Sequence, residues 1–187
     1  MRIIFKGIGL FGAGAKTPRN FKITDMKNAK KIKRVEIFDL DGTVVDSSSR
    51  VRSLVNESGK KVLDLAHWKK HQHECYKDSL LPLAKHYKHV LQLESVLCVV
   101  ATNRLMLQED FNFLNGHLGK PDAIVHRVHD QQSGKMLKLT GIERILSELD
   151  LIGKPLKVYE DNIDLLKHLC DNLTNCTGIY VPSKQGF

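Results

Sequence analysis

Asp39 and Asp41 stand two residues apart in the run Asp39-Leu40-Asp41-Gly42-Thr43. They close residues 35–40 (VEIFDL), a short apolar run that reads as a buried strand. Two carboxylates at that spacing can point into one crevice beyond the carboxyl edge of a parallel sheet, where open α/β proteins bind ligands. Gly42 lets the chain turn sharply there, because glycine tolerates positive φ. The two acids repel one another unless a cation lies between them. Hard carboxylate oxygens suit Mg²⁺, which keeps some of its waters and also takes phosphate oxygens.

The elements that must position these acids follow from hydrophobic periodicity. Residues 95–101 (SVLCVVA), 123–128 (AIVHRV), 156–159 (LKVY) and 177–181 (TGIYV) read as four further strands. Helical stripes lie between them: Leu80, Leu83, Ala84, Tyr87 and Leu91; Leu139, Ile142, Ile145, Leu146 and Leu149, with Gly153 as a stop; and Ile163, Leu166 and Leu169. Strands alternating with helices predict an α/β fold, a parallel sheet covered on both faces.

On these residues the chain, over positions 35–182, resembles the haloacid dehalogenase (HAD) superfamily of phosphatases. The first motif of that family, DxDGT at a strand end, is matched by IFDLDGTVVD. Thr102 in VVATNR stands where the family has Ser or Thr after the second strand. Lys138, with Lys135 as a substitute, fits the lysine at the start of a later helix. Glu160-Asp161 in VYEDNID fits the acidic fourth motif, with Asp164 nearby. The resemblance implies a Rossmann-like three-layer parallel sheet, HAD-like, with a small or absent cap. It implies Asp39 as the nucleophile toward phosphorus and Asp41 as the acid and then the base. It also implies Mg²⁺ held by Asp39, Asp41 (through its carbonyl) and Asp161 beside Glu160, with Thr102, Asn103 and Lys138 holding phosphate oxygens. Each residue also has a plain structural use. Thr102 could cap a helix, Lys138 could sit on a solvated helix face, and Glu160-Asp161 could form an N-cap region.

A narrower resemblance is to the 3′-phosphatase domain of polynucleotide kinase-phosphatases. It rests on the order of DxDGT, Arg50, Trp68, Asp78, Arg104 in TNR, and Arg127 before Lys138. Asn103 departs from it, since that family has Gly before the second-motif Arg. It implies that Arg104 and Arg127 bind substrate, a role suited to guanidinium forks on phosphate. The net charge of +8 favours anionic partners, nucleotides and nucleic acid among them. No kinase partner is expected: GLFGAGAKT lacks the Gly directly before Lys of a phosphate loop, and Gly7, Gly9 and Gly12 form a G-x-G-x-x-G without its βαβ unit.

The resulting expectation is a Mg²⁺-dependent phosphomonoesterase acting on a nucleotide or a nucleic-acid end bearing a 3′-phosphate. A nucleic-acid-binding module on an inactive fold and a small-molecule phosphotransferase are the alternatives. Residues 1–34 read as a basic extension and 35–187 as the phosphatase domain, with helices and a small cap drawn from 46–94. Four widely spaced cysteines without a CxxC pair point to a reducing, cytoplasmic setting. No apolar run is long enough to span a membrane, and no obligate protein partner is evident. His67, His71 and Cys75 recur at helical spacing, a pattern that reads as a partly buried helix face rather than a zinc site.

Overall fold

A computed structural model describes residues 21–23, 27–59, 61–129 and 133–183. The glycine-rich phosphate-loop look-alikes lie outside the described residues. In chain order the strands and helices are β1 (Phe21–Ile23), β2 (Arg34–Phe38), β3 (Val45–Asp46), β4 (Ser53–Val55), β5 (Lys61–Leu63), α1 (Leu65–His71), β6 (Ser79–Leu80), α2 (Ala84–Leu91), β7 (Val96–Leu105), α3 (Gln108–Phe113), β8 (Ala123–Arg127), α4 (Gly134–Glu148), β9 (Leu156–Glu160), α5 (Ile163–Asn172) and β10 (Cys176–Tyr180).

The five strands anticipated from apolar runs make one parallel sheet in the order β8-β7-β2-β9-β10. β1 adds an antiparallel strand at the β8 edge, so the sheet reaches back into the segment set aside as an extension. Alternate residues of each central strand face opposite layers. Val35 and Ile37 of β2 pack with Leu137, Ile142, Ile145, Leu165 and Leu169 of α4 and α5. Phe38 packs on the other side with Tyr87 and Val90 of α2 and with Phe113 and Leu114 around the end of α3. The result is the three-layer α/β architecture expected.

Glu36, in the middle of β2, is fully buried. Its carboxylate accepts from Arg34 Nε at 2.8 Å and from the Tyr159 hydroxyl at 3.0 Å, and lies 2.8 Å from His86 Nε2. These partners explain why a carboxylate survives inside the sheet.

Three local expectations are corrected. Leu80 is not the first residue of a helical stripe. It lies in β6, which pairs antiparallel with β3, and α2 starts only at Ala84. β7 runs on to Leu105 with a register irregularity after Ala101, so Thr102 sits within the strand instead of following it. Cys75 is buried, but in a 3₁₀ segment beyond a kink, not on one continuous helix with His67 and His71.

The segment after Asp46 folds into short elements. β4 and β5 form an antiparallel hairpin. The Asp64 carboxylate then caps α1 by accepting from the His67 backbone N–H at 3.0 Å. Among the described residues no helix is long and apolar enough to cross a membrane.

Candidate active site

All parallel strands of the sheet end on one rim, and the residues that could do chemistry come from those ends. Asp39 follows β2 and Glu160 closes β9, which is paired with β2. The Asp39 backbone N–H donates to the Tyr159 carbonyl at 3.0 Å, which pins the two strand ends together. The chain then turns: the N–H groups of Thr43, Val44 and Val45 all donate to the Leu40 carbonyl. Gly42 takes φ +76° in this turn, and a Cβ there would collide with the Asp161 carboxylate and the Ser183 hydroxyl. Glycine is therefore required twice, by its conformation and by its neighbours.

Lys138 comes from α4. Its Nζ lies 2.5 Å from Asp39 Oδ1 and 2.8 Å from Glu160 Oε2, and the side chain is 1% exposed. Lys135, one turn earlier, is exposed. Lys138 is thus the lysine brought to the acids, and it is no surface residue of the helix.

Asp39, Glu160 and Asp161 each offer an oxygen, and the three lie within 4.8 Å of one another. Burial is the main reason the Asp39 carboxyl is pushed up to about 7, with Glu160 and Asp41 adding to it and Lys138 opposing. Burial also raises Asp161, with the Asp39 charge second, and it raises Glu160 against the pull of Lys138. A cluster of hard oxygens whose charges resist one another in a dry site fits a divalent cation such as Mg²⁺. Asn162, not Glu160-Asp161, caps α5, by accepting from the Leu165 N–H at 2.9 Å.

Asp41 faces a different partner. Its carboxylate accepts from Arg104 Nε at 2.8 Å, Arg104 Nη2 at 2.6 Å and the Ser47 hydroxyl at 2.5 Å. Burial alone would raise its pKa, but the Arg104 charge and hydrogen bonds override that and leave it lowered. Of the atoms Asp41 could offer a cation, this leaves its backbone carbonyl.

Arg104, expected to meet substrate, lines the cavity, is 4% exposed and has its guanidinium largely committed inside the protein. Besides Asp41 it binds Asp110 Oδ1 at 2.8 Å and Asp78 Oδ2 at 3.0 Å. Asp78 in turn holds the fully buried Arg50, with Nε–Oδ1 at 2.7 Å and Nη2–Oδ2 at 2.5 Å. Trp68 covers this pair, its ring centroid 4.7 Å from the Arg50 guanidinium carbon and 5.8 Å from that of Arg104.

Thr102 is fully buried and its hydroxyl accepts from the Arg104 N–H at 3.2 Å. It shapes the end of β7 and does not cap α3, which begins six residues later. Asn103 is exposed on the rim, with its carbonyl accepting from Arg127 Nε at 3.0 Å. Ser47 and Asp110 were missed by sequence reading. The one available signal was polarity in otherwise apolar surroundings, and that signal is weak for a single Ser or Asp.

These side chains open on one cavity of about 430 Å³. It is lined by Asp39, Asp41, Lys138, Glu160 and Asp161 together with Val51, Leu63, Leu65 and Trp68. Arg127 and Asn103 lie at its edge.

The fold is HAD-like, and the rim gathers acids and a lysine at the strand ends. More closely, the chain belongs to the bacteriophage T5 5′-deoxynucleotidase family, whose pattern it matches over residues 26–151. The 5′-deoxynucleotidase of Escherichia phage T5 is 29% identical over 133 residues, which cover 68% of this chain and 54% of that protein. The chain therefore spans about half the length of this curated relative. Among solved structures, the Pnkp1/Rnl/Hen1 RNA repair complex contains a chain similar in fold. The likeness has a TM-score of 0.50 at 18% identity and covers 86% of this chain and 47% of that one. A HAD family hydrolase from Streptomyces avermitilis is more distant, with a TM-score of 0.45 at 14% identity over 86% of this chain and 71% of that one.

Proposed function

We propose that the chain is a phosphomonoesterase for deoxynucleoside 5′-monophosphates, with Asp39 as nucleophile. The observation that carries this reading is the convergence of Asp39, Lys138, Glu160 and Asp161 at one rim of the sheet. The substrate class comes from the relative described as a 5′-deoxynucleotidase and from a cavity sized for one nucleotide.

Asp39 Oδ forms a bond to phosphorus as the bond to the nucleoside oxygen breaks, leaving an aspartyl-phosphate. Water then attacks that phosphorus, inorganic phosphate leaves, and the Asp39 carboxylate is restored. Lys138 offsets charge on the phosphoryl oxygens and on Asp39 itself. Asn103, which lines the cavity, would hold a remaining phosphate oxygen, whereas Thr102 is fully buried and does not line it. Asp39, Asp161 and the Asp41 carbonyl would hold Mg²⁺, with Glu160 beside them; the ion supplies charge neutralisation between carboxylate and phosphate. Asp41 gives a proton to the leaving oxygen and takes one from water. Arg104 and Ser47 hold it as the ionised base, so to act as the acid it must first take up a proton, from solvent or from the incoming phosphate monoanion, as one of those contacts opens.

Phosphate release from deoxynucleoside 5′-monophosphates, with Mg²⁺ supplied and with Asp39→Asn as control, tests the reading. Turnover by the wild type and its loss in the variant are expected. Failure of the wild type on every nucleotide contradicts it. A second reading, a nucleic-acid end bearing a 3′-phosphate, is favoured by the net charge of +8. Faster release from a 3′-phosphorylated oligonucleotide than from any monophosphate would select it.

A further inference from the structure

The two large apolar residues of α1, Leu65 and Trp68, line the cavity and are not buried in the core. Leu65, Trp68, Lys69 and Gln72 follow the i, i+3, i+4, i+7 spacing that shares one helical side, and all four line the cavity. No residue of α1 is buried, and Leu65 is left 62% exposed. A helix normally buries such a stripe against its own protein. Here Leu65 and Trp68, with Val51 and Leu63, share one cavity of about 430 Å³ with the acids.

Trp68 is held for this purpose. Arg50 packs against its ring at 4.7 Å and does not reach the cavity. Arg50 is itself fixed by Asp78 and by donating from Nη1 to the Gln72 carbonyl at 2.9 Å. The ring is therefore oriented before any ligand arrives, which lowers the cost of binding. A flat, partly exposed aromatic surface in the same cavity as a phosphate-reactive carboxylate suits a molecule with an anionic end and a planar apolar end.

We infer that Trp68, backed by Arg50 and flanked by Leu63 and Leu65, is the surface on which the substrate's nucleobase stacks, and that this stacking selects nucleotides over simpler phosphate esters. The inference rests on the phosphomonoesterase reading for its chemistry, but binding alone can test it.

Trp68 is the sole tryptophan of the chain, so intrinsic fluorescence reports on this surface. The full chain carrying Asp39→Asn, with Mg²⁺, is titrated with deoxyadenosine 5′-monophosphate and with deoxyribose 5-phosphate. Saturable quenching by the nucleotide and little by the sugar phosphate is expected. Equal quenching by both, or none by either, overturns the inference. In turnover assays, Trp68→Ala should lower kcat/KM for the nucleotide by about 10-fold or more, mostly through KM, the scale of one lost base–aromatic stack. It should leave deoxyribose 5-phosphate within about 2-fold, and Trp68→Phe should recover most of the loss. An equal fall on both substrates would show that Trp68 only supports Arg50, and would also overturn it. Should the wild type hydrolyse neither ester, the phosphomonoesterase reading fails while the difference in quenching still decides the base site.

Discussion

Arg104 grips Asp41 with two parallel hydrogen bonds, Nε to Oδ2 at 2.8 Å and Nη2 to Oδ1 at 2.6 Å. This fork joins the rim of acids to a buried charge network that runs through Asp78 and Arg50 to Trp68. It also sets the two acids of the DxDGT run apart. Asp39 is raised and Asp41 is lowered, so each resting carboxylate has a distinct proton affinity although they are two residues apart.

Arg104→Met removes the charge that holds Asp41 ionised, so the Asp41 titration moves upward. The limb of the pH–rate profile assigned to Asp41 should shift to higher pH, with kcat lowered by about 10- to 100-fold. The substitution also leaves the buried Asp110 without its cation, while Asp78 keeps Arg50, and stability should fall by roughly 3–5 kcal/mol. Chemical denaturation checks the second effect and a pH–kcat series the first.

Lys138→Met leaves Asp39 and Glu160 facing each other without their shared cation. Activity should drop by about 100-fold or more, whereas Lys135→Ala should stay within about 2-fold because that side chain is exposed. Steady-state phosphate release on the two variants separates the two lysines directly.

The pH dependence of the ion-free protein follows from Asp39. Its folded-state pKa, about 7 because of burial, lies above the ordinary value near 4 of the unfolded chain. Between those values the folded state binds the extra proton, so this group lowers stability as pH rises through the window. Above pH 7 the full penalty is present. Mg²⁺ stabilises the ionised form and should remove it. Melting curves should show a larger gain from Mg²⁺ at pH 8 than at pH 5, and little gain in Asp161→Asn.

Gly42→Ala places a methyl group against the Asp161 carboxylate and forces a residue with a side chain to φ +76°. A loss of about 1–3 kcal/mol is expected, together with weaker Mg²⁺ dependence of activity. A titration of phosphate release against Mg²⁺ concentration checks the latter.

The sheet was legible because its strands are short apolar runs bounded by turns, a pattern that buried parallel strands produce. Asp39, Arg127 and Glu160 sit at the ends of those strands, so reading the strands also located them, whereas Thr102 lies inside the longer β7. Helices and a small cap were expected over 46–94, but the short strands there were not legible. β4 and β5 are three residues each, and neither has the length that makes alternation visible. Leu80 continued a helical period by coincidence, and pairing with Val45 put it in a strand instead. The Arg104 fork was hidden for another reason. A guanidinium reads the same in sequence whether it waits for a phosphate or is already bound by Asp41, Asp78 and Asp110. Only the burial of those acids decides between the two.

The most direct test is to trap the covalent intermediate. Wild-type protein is mixed with Mg²⁺ and a deoxynucleoside 5′-monophosphate carrying ³²P in its phosphate, quenched in acid within one turnover, and digested. Label on the peptide containing Asp39, absent from Asp39→Asn, is the predicted result. Undiminished turnover by Asp39→Asn, or turnover with no label on the protein, would contradict the account.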